Sequence, residues 1–420
     1  MSAFSTSISG MPDASTADVL DQIFTTMSGF STDIGGGAGI NKLHNQDSGS
    51  TATIEYAGQT VEAYIIGDGH GQEHGKAISE MAVHTTIQYL LDHPSEVVSD
   101  PISCLSSLFA HVQSTVSPLF EAGGTTFTVI LFNKTDGTLT TANVGDSGAI
   151  LVSPTDNLSH EMRTSYFDVP TAESINSPEG TPLTKILHLT KDHNPEDPVE
   201  LALLRQTVLP VVREKLQGLL SPNHQIRIET QALLLPNYRM KVRSLNDPQI
   251  AELIATDSFC CNVVFHTQGS QPNIPIFNED GTQRDLQEPS GLPGMYHKNV
   301  SRDWGSLATS PFNEIAMTRS LVDKHVVSSL PTIQQFSLSS LPSGSTTCIV
   351  SATDGVWDNW LDIDVSEFVL HESCMTALSN DGGAQRVADS FTKRNDLYAK
   401  RNFGNSRDNA TAFVIYIKKA

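Results

Sequence analysis

The chain has 420 residues, 38% of them hydrophobic, and a formal net charge of −21 at pH 7. That length accommodates one large domain or two smaller ones, with enough apolar material for a sizeable core. The acidic balance argues against nucleic acid, which needs a basic patch, and against docking on anionic lipid; no apolar run reaches the roughly 18 residues that span a bilayer.

In chain order, residues 1–37 are rich in Ser, Thr and Gly and read as an N-terminal extension ahead of a domain over 38–420. No Lys or Arg precedes Lys42, so neither a signal peptide nor a transit peptide is expected. Val19, Leu20, Ile23 and Met27 fall at helical spacing and predict a short helix over Thr16–Met27. Strands are expected at Ala52–Tyr56, Val61–Ile66, Phe127–Phe132, Leu139–Val144, Ala149–Val152, Thr346–Ala352 and Ala410–Ile417. Lys134-Thr135-Asp136-Gly137 reads as a hairpin turn, because Asp-Gly favours the left-handed geometry there. Helices are expected at His74–Leu91 and Val199–Leu220, within Val365–Leu378 and within Ala384–Lys400. The strands cluster into hairpins instead of alternating with helices, which points to an α+β fold and away from a doubly wound sheet. Gln268–Lys298 is crowded with Gly, Pro, Asn and Asp and reads as loop, either functional or a tolerated surface insertion.

The five cysteines (Cys104, Cys260, Cys261, Cys348, Cys374) show neither a pairing pattern nor metal spacing, and read as reduced thiols of a cytoplasmic protein. None precedes an Arg at the spacing of a cysteine-nucleophile phosphate loop.

Chemistry concentrates in acids at strand ends. Tyr64-Ile65-Ile66-Gly67-Asp68-Gly69-His70-Gly71 runs from an apolar strand into a carboxylate, an imidazole and three glycines, read as a tight turn over Gly67–Gly71. Such a turn brings backbone and ligand close together, and His70 titrates near neutral pH; a plain Gly-rich turn is the alternative. Asp354 follows one strand and Asp408 precedes another. Carboxylate and carbonyl oxygens gathered in one cleft suit hard cations such as Mg²⁺ or Mn²⁺.

Asn45-Gln46-Asp47, Asp68-Gly69-His70-Gly71, Gly123-Gly124-Thr125-Thr126, Ala142-Asn143-Val144-Gly145-Asp146-Ser147, Leu189 to Pro195, Ile315 to Asp323, and the Asp354 and Asp408 motifs follow one another in a distinctive order. That ordered set resembles the type 2C, metal-dependent protein Ser/Thr phosphatases (PPM class), from about Gly39 to Lys418. The resemblance implies a four-layer α-β-β-α sandwich with two central antiparallel sheets and a metal cleft at one end. One region departs from the family: about 196–314 is longer than this interval usually is and reads as an enlarged substrate-facing flap or a tolerated surface insertion. The resemblance implies a phosphoprotein substrate, and a monomer is expected. It also implies that Asp68 bridges two ions, joined by the Gly69 carbonyl, and that Asp354 and Asp408 hold the second. Asp47 would act through bound waters, and Asp146 would help hold a weaker third ion unless it is only a turn acid. The pair of ions would lower the pKa of a shared water, and His70 would protonate the leaving oxygen unless it serves a structural hydrogen bond. Asp192, His193 and Arg319 read as structural.

Three positions depart from the family pattern. Lys42 stands where a phosphate-binding Arg is usual, Gly148 where Arg often follows Gly-Asp-Ser, and Val322 where Gly is preferred. Two function classes follow: an active metal-dependent phosphatase, or a catalytically inactive relative serving as scaffold or regulator.

Overall fold

The computed structural model describes residues 24–35, 44–71, 74–154, 186–193, 199–200, 317–323, 328–404 and 407–420, and the backbone of 5–7, 163–166, 307–310 and 313–315. The expected helix Val199–Leu220 beyond its first two residues, the stretch Gln268–Lys298, nearly all of 196–314, Cys260, Cys261 and Lys42 lie outside the described residues.

One sheet runs, in spatial order, β1 (Ser5–Ser7), β3 (Asp47–Tyr56), β4 (Gln59–His70), β6 (Phe127–Asn133), β7 (Thr138–Val144), β13 (Thr332–Ser337) and β9 (Arg163–Tyr166), with β5 (Gly124–Thr125) on the end of β4. The other runs β10 (Ile186–His188), β8 (Gly148–Val152), β14 (Thr346–Ala352), β15 (Ala410–Lys419) and β2 (Phe24–Asp33). Within both sheets, every described strand pair except the parallel β1–β3 is antiparallel.

Side-chain alternation explains the layering. Along β4, Val61, Ala63 and Ile65 face one core, while Tyr64 and Ile66 face another. Along β15, Phe413, Ile415 and Ile417 share that second core, and Val414 and Tyr416 face a third. Strands apolar on both faces need cover on both. The middle core therefore lies between the sheets. α1 (Gly75–Asp92), α2 (Pro94–Ser99) and α3 (Pro101–Val116) cover the first sheet through Ile78, Ala82, Leu105 and Phe109. α4 (Asp354–Trp357), α5 (Asp362–Val369), α6 (Glu372–Ala377) and α7 (Gly383–Phe403) cover the second through Trp357, Trp360, Val365 and Phe391. Each of the Leu, Ile, Val and Phe side chains among them contributes about 1.5–3 kcal/mol on burial. The result is the expected α-β-β-α sandwich.

Three local expectations need correction. Residues 24–27 are not helical: Phe24–Asp33 is a strand paired with β15 from Phe24↔Lys419 to Asp33↔Ala410. A ladder of that length, with Phe24 buried edge-on to Phe132 at 5.6 Å, outweighs a few apolar residues at helical spacing. Residues 24–33 thus belong to the sandwich. Gly67–His70 is strand, not turn, because Gly69 and His70 pair with Thr125 and Gly124. The helix expected within Val365–Leu378 is two helices, broken where His371 caps Ser373 N. Among the described residues no helix is long and apolar enough to cross a membrane, and Cys104, Cys348 and Cys374 are free and buried.

Candidate active site

The site is built where both sheets end. Asp47 opens β3 and stands opposite Asp68 near the end of β4. Asp146 lies in the link between β7 and β8, Asp354 begins α4 directly after β14, and Asp408 shortly precedes β15. Hydrogen bonds tie these ends together. Thr353 Oγ1 donates to Asp47 Oδ2 at 3.0 Å and accepts from Thr411 N at 3.0 Å, joining the two sheets. Asn45 Oδ1 accepts from Asp47 N, and Gln46 N donates to Asn409 Oδ1. Thr126 N and Thr125 Oγ1 both donate to the Asp68 carbonyl, at 2.9 and 3.0 Å.

Like charges crowd here. Burial above all pushes the Asp47 carboxyl up to about 6; the Thr411 and Thr353 hydroxyls oppose the rise and Asp354 adds to it. Asp68 is held well above the usual carboxylate range by burial and by the charges of Asp47, Asp354 and Asp146. A raised carboxyl means that the folded chain binds the proton more tightly than the unfolded chain. In chelator, stability should therefore fall as pH rises from about 4 to about 6, and thermal melts across that interval measure it. A melting temperature that instead climbs through this window would contradict the crowding.

Among the described residues, no three Asp, Glu, His or Cys side chains stand ready-made around an ion. In kind, however, the donors fit a hard divalent cation. They are oxygens, and Asp47 Oδ1 is buried without a hydrogen-bond partner. Gly69 leaves room for α1: a Cβ there would collide with the Gly75 carbonyl. Asp408 approaches from the second sheet, its Cβ 3.3 Å from where a Gly355 side chain would stand, and its Oδ1 accepts from Asn409 N.

His70 sits at the rim with its side chain 26% exposed, and its Nε2 lies 2.6 Å from Asp323 Oδ2. Burial opposes a charge on this ring, but the Asp323 carboxylate, with Asp146 and Asp354, raises its pKa above the usual value. Asp323 closes the Ile315–Asp323 motif, and nothing in the sequence pairs it with a histidine so far upstream. The ties made by Asn45, Thr353, Asn409 and Thr411 were equally hidden, although Thr353 directly precedes Asp354.

Residues 58–222 match the family model described as Protein phosphatase 2C. No curated protein matches the chain. Among solved structures, serine-threonine phosphatase 2C from Toxoplasma gondii is 12% identical over 93% of this chain and 94% of that one, with a TM-score of 0.49. The Mycobacterium tuberculosis serine/threonine phosphatase PstP/Ppp is 15% identical over 93% and 97%, with a TM-score of 0.42. The catalytic domain of PstP in complex with 2 manganese ions is 15% identical over 94% and 100%, also at 0.42.

Two of the departures from the family pattern, at Gly148 and Val322, now have a physical setting. Gly148 lies under Trp357, whose Nε1 donates to the carbonyls of Gly148 and Ala352, and a Cβ at 148 would stand 3.3 Å from that nitrogen. Val322 is buried at φ 76°, a left-handed conformation that a β-branched residue adopts only under strain. Val322→Gly should therefore be at least as stable as Val322→Ala, although Gly usually costs about 0.5–1 kcal/mol relative to Ala within an element. Urea midpoints of the two variants decide this; a clearly more stable Ala variant would contradict the strain.

His193 and Arg319 have structural partners. His193 is buried, accepts from Gly145 N at Nδ1 and pairs with Thr332 at Nε2, so it steadies the link carrying Asp146. Burial and the nearby Arg319 and Lys191 charges hold its pKa well below the usual value. Arg319 forks onto Glu200 at 2.8 and 2.7 Å.

Proposed function

We propose that this protein is a Mg²⁺- or Mn²⁺-dependent protein Ser/Thr phosphatase that hydrolyses phosphoserine and phosphothreonine without a phosphoenzyme. The observation that carries the reading is the in-register pair Asp47↔Asp68, with the charges of Asp354 and Asp146 bearing on Asp68. Buried carboxylates that repel one another are poor structural design, and a cation between them turns the cost into binding.

In this reading Asp68, the Gly69 carbonyl, Asp354 and Asp408 hold two divalent ions, Asp47 acts through water, and Asp146 serves a weaker third. When bound, the ions supply charge neutralisation and activate the attacking water. His70 keeps its proton toward neutral pH and gives it to the departing Ser or Thr oxygen, a step worth about a hundredfold or more for so poor a leaving group. Lys42 binds the phosphoryl oxygens as a point charge in place of the family's planar guanidinium. Lys42→Ala should lower kcat/KM by about 1–3 kcal/mol of transition-state stabilisation, and Lys42→Arg should preserve or improve it. Steady-state kinetics on both variants test this; an inert Lys42→Ala would remove Lys42 from the site.

The direct test is hydrolysis of a phosphothreonine peptide with Mn²⁺, with and without chelator. No turnover under any metal condition would favour the inactive, regulatory relative.

A further inference from the structure

We propose that Asp323 is the positioning residue of His70: it holds the ring through Nε2–H and leaves Nδ1 as the nitrogen that serves the leaving oxygen. The inference rests on the phosphatase reading for its kinetics and on geometry alone for the pairing. Four observations converge. The contact between His70 Nε2 and Asp323 Oδ2 is 2.6 Å, short enough for a charge-assisted bond. Among the described residues Nδ1 of the same ring is buried with no hydrogen-bond partner, whereas Nε2 is engaged, so Nδ1 is the nitrogen left over for chemistry. Gly124 opens the space between the two: a Cβ built there would stand 2.7 Å from His70 Nε2 and would collide with Asp323. Asp323 is itself held, by the Ser320 hydroxyl and by the segment around it.

That segment is anchored on both sides. Leu321 exchanges two backbone hydrogen bonds with Thr125, each 3.0 Å. Val322 N donates to Gln113 Oε1 of α3 at 2.7 Å. Within this anchored stretch Val322 is left-handed, and the next residue, Asp323, meets the ring. Strain in a non-glycine residue persists only where the surroundings over-determine it. Here the over-determination ends on one carboxylate aimed at one imidazole.

The experiment compares Asp323→Ala, Asp323→Asn, His70→Ala and the double variant Asp323→Ala/His70→Ala in the full chain, with a phosphothreonine peptide and an aryl phosphate as substrates. Asp323→Ala should lower kcat on the phosphopeptide about tenfold to a hundredfold, leave KM within about twofold, and spare the aryl phosphate, whose phenolate leaves unaided. The double variant should lose no more than His70→Ala alone, because one group acts through the other. Asp323→Asn, which keeps the shape, guards against mere unfolding and should show the same substrate split. Independently of turnover, the His70 ring ¹⁵N spectrum should show a strongly hydrogen-bonded Nε2–H that disappears in Asp323→Ala. An unchanged ring spectrum, or additive losses in the double variant, overturns the assignment. A chain that hydrolyses neither substrate but shows the expected spectrum refutes the phosphatase reading and leaves the pairing standing.

Discussion

Asp68→Asn should lower kcat/KM for a phosphothreonine peptide by about a hundredfold or more, with the fold intact. The substitution keeps the side-chain size and removes the charge that the proposed centre shares. The backbone at this position is secured independently: Thr125 and Thr126 bind the Asp68 carbonyl, and Asp68 N reaches Thr126 Oγ1 at 3.2 Å. The same change removes a like charge facing Asp47, Asp354 and Asp146. The metal-free variant should therefore melt higher than the metal-free wild type while turning over far more slowly. That opposed pair of effects is hard to obtain from a damaged fold. Asp408→Asn should lose activity to a similar extent. Near-normal turnover in Asp68→Asn would show that the centre is wrongly assigned.

Chelation should abolish activity, and millimolar Mg²⁺ or Mn²⁺ should restore it. The donors in view are oxygens, so the ions are expected to exchange and to bind more weakly than at thiolate or imidazole sites. A cation that binds only the folded state stabilises it by mass action, about 2.7 kcal/mol at a hundred times its Kd. A rise of several degrees in melting temperature on adding Mn²⁺ to chelated protein follows, readable without any substrate. The rise should be larger near neutral pH than near pH 4, because protons compete with a cation for carboxylate oxygens. Equal melting temperatures with and without metal, together with turnover in excess chelator, would sink the mechanism.

Much of this was legible in the sequence because the sandwich is written in short-range signals. β14 spans Thr346–Ala352, the bounds expected of it, and Asp136-Gly137 marks the hairpin with Gly137 at φ 78°. Asp68 and Asp354 could be singled out because each follows an apolar run at a glycine. What stayed hidden is long-range. The spacing of Val19, Leu20, Ile23 and Met27 says helix, while pairing with the far end of the chain makes Phe24–Asp33 a strand. Gly67–His70 looks like a turn until β5 arrives to pair with it. Asp323 acquires meaning only when Gly124 makes room for it beside His70. Composition could not foresee contacts between residues hundreds of positions apart.

The pairing of β2 along β15 also governs where this chain can be shortened. β2 is the last strand of its sheet, and β14 occupies the other side of β15. A chain begun at residue 38, where the Ser- and Gly-rich opening invites a cut, would bare the amide and carbonyl row of β15 from Ala410 to Lys419. A long, apolar open edge is a template for another copy of itself. Such a truncation would replace the polar edge strand Phe24–Asp33 with the apolar strand Ala410–Lys419 at the border, and its product is expected to self-associate before it can be assayed as an enzyme.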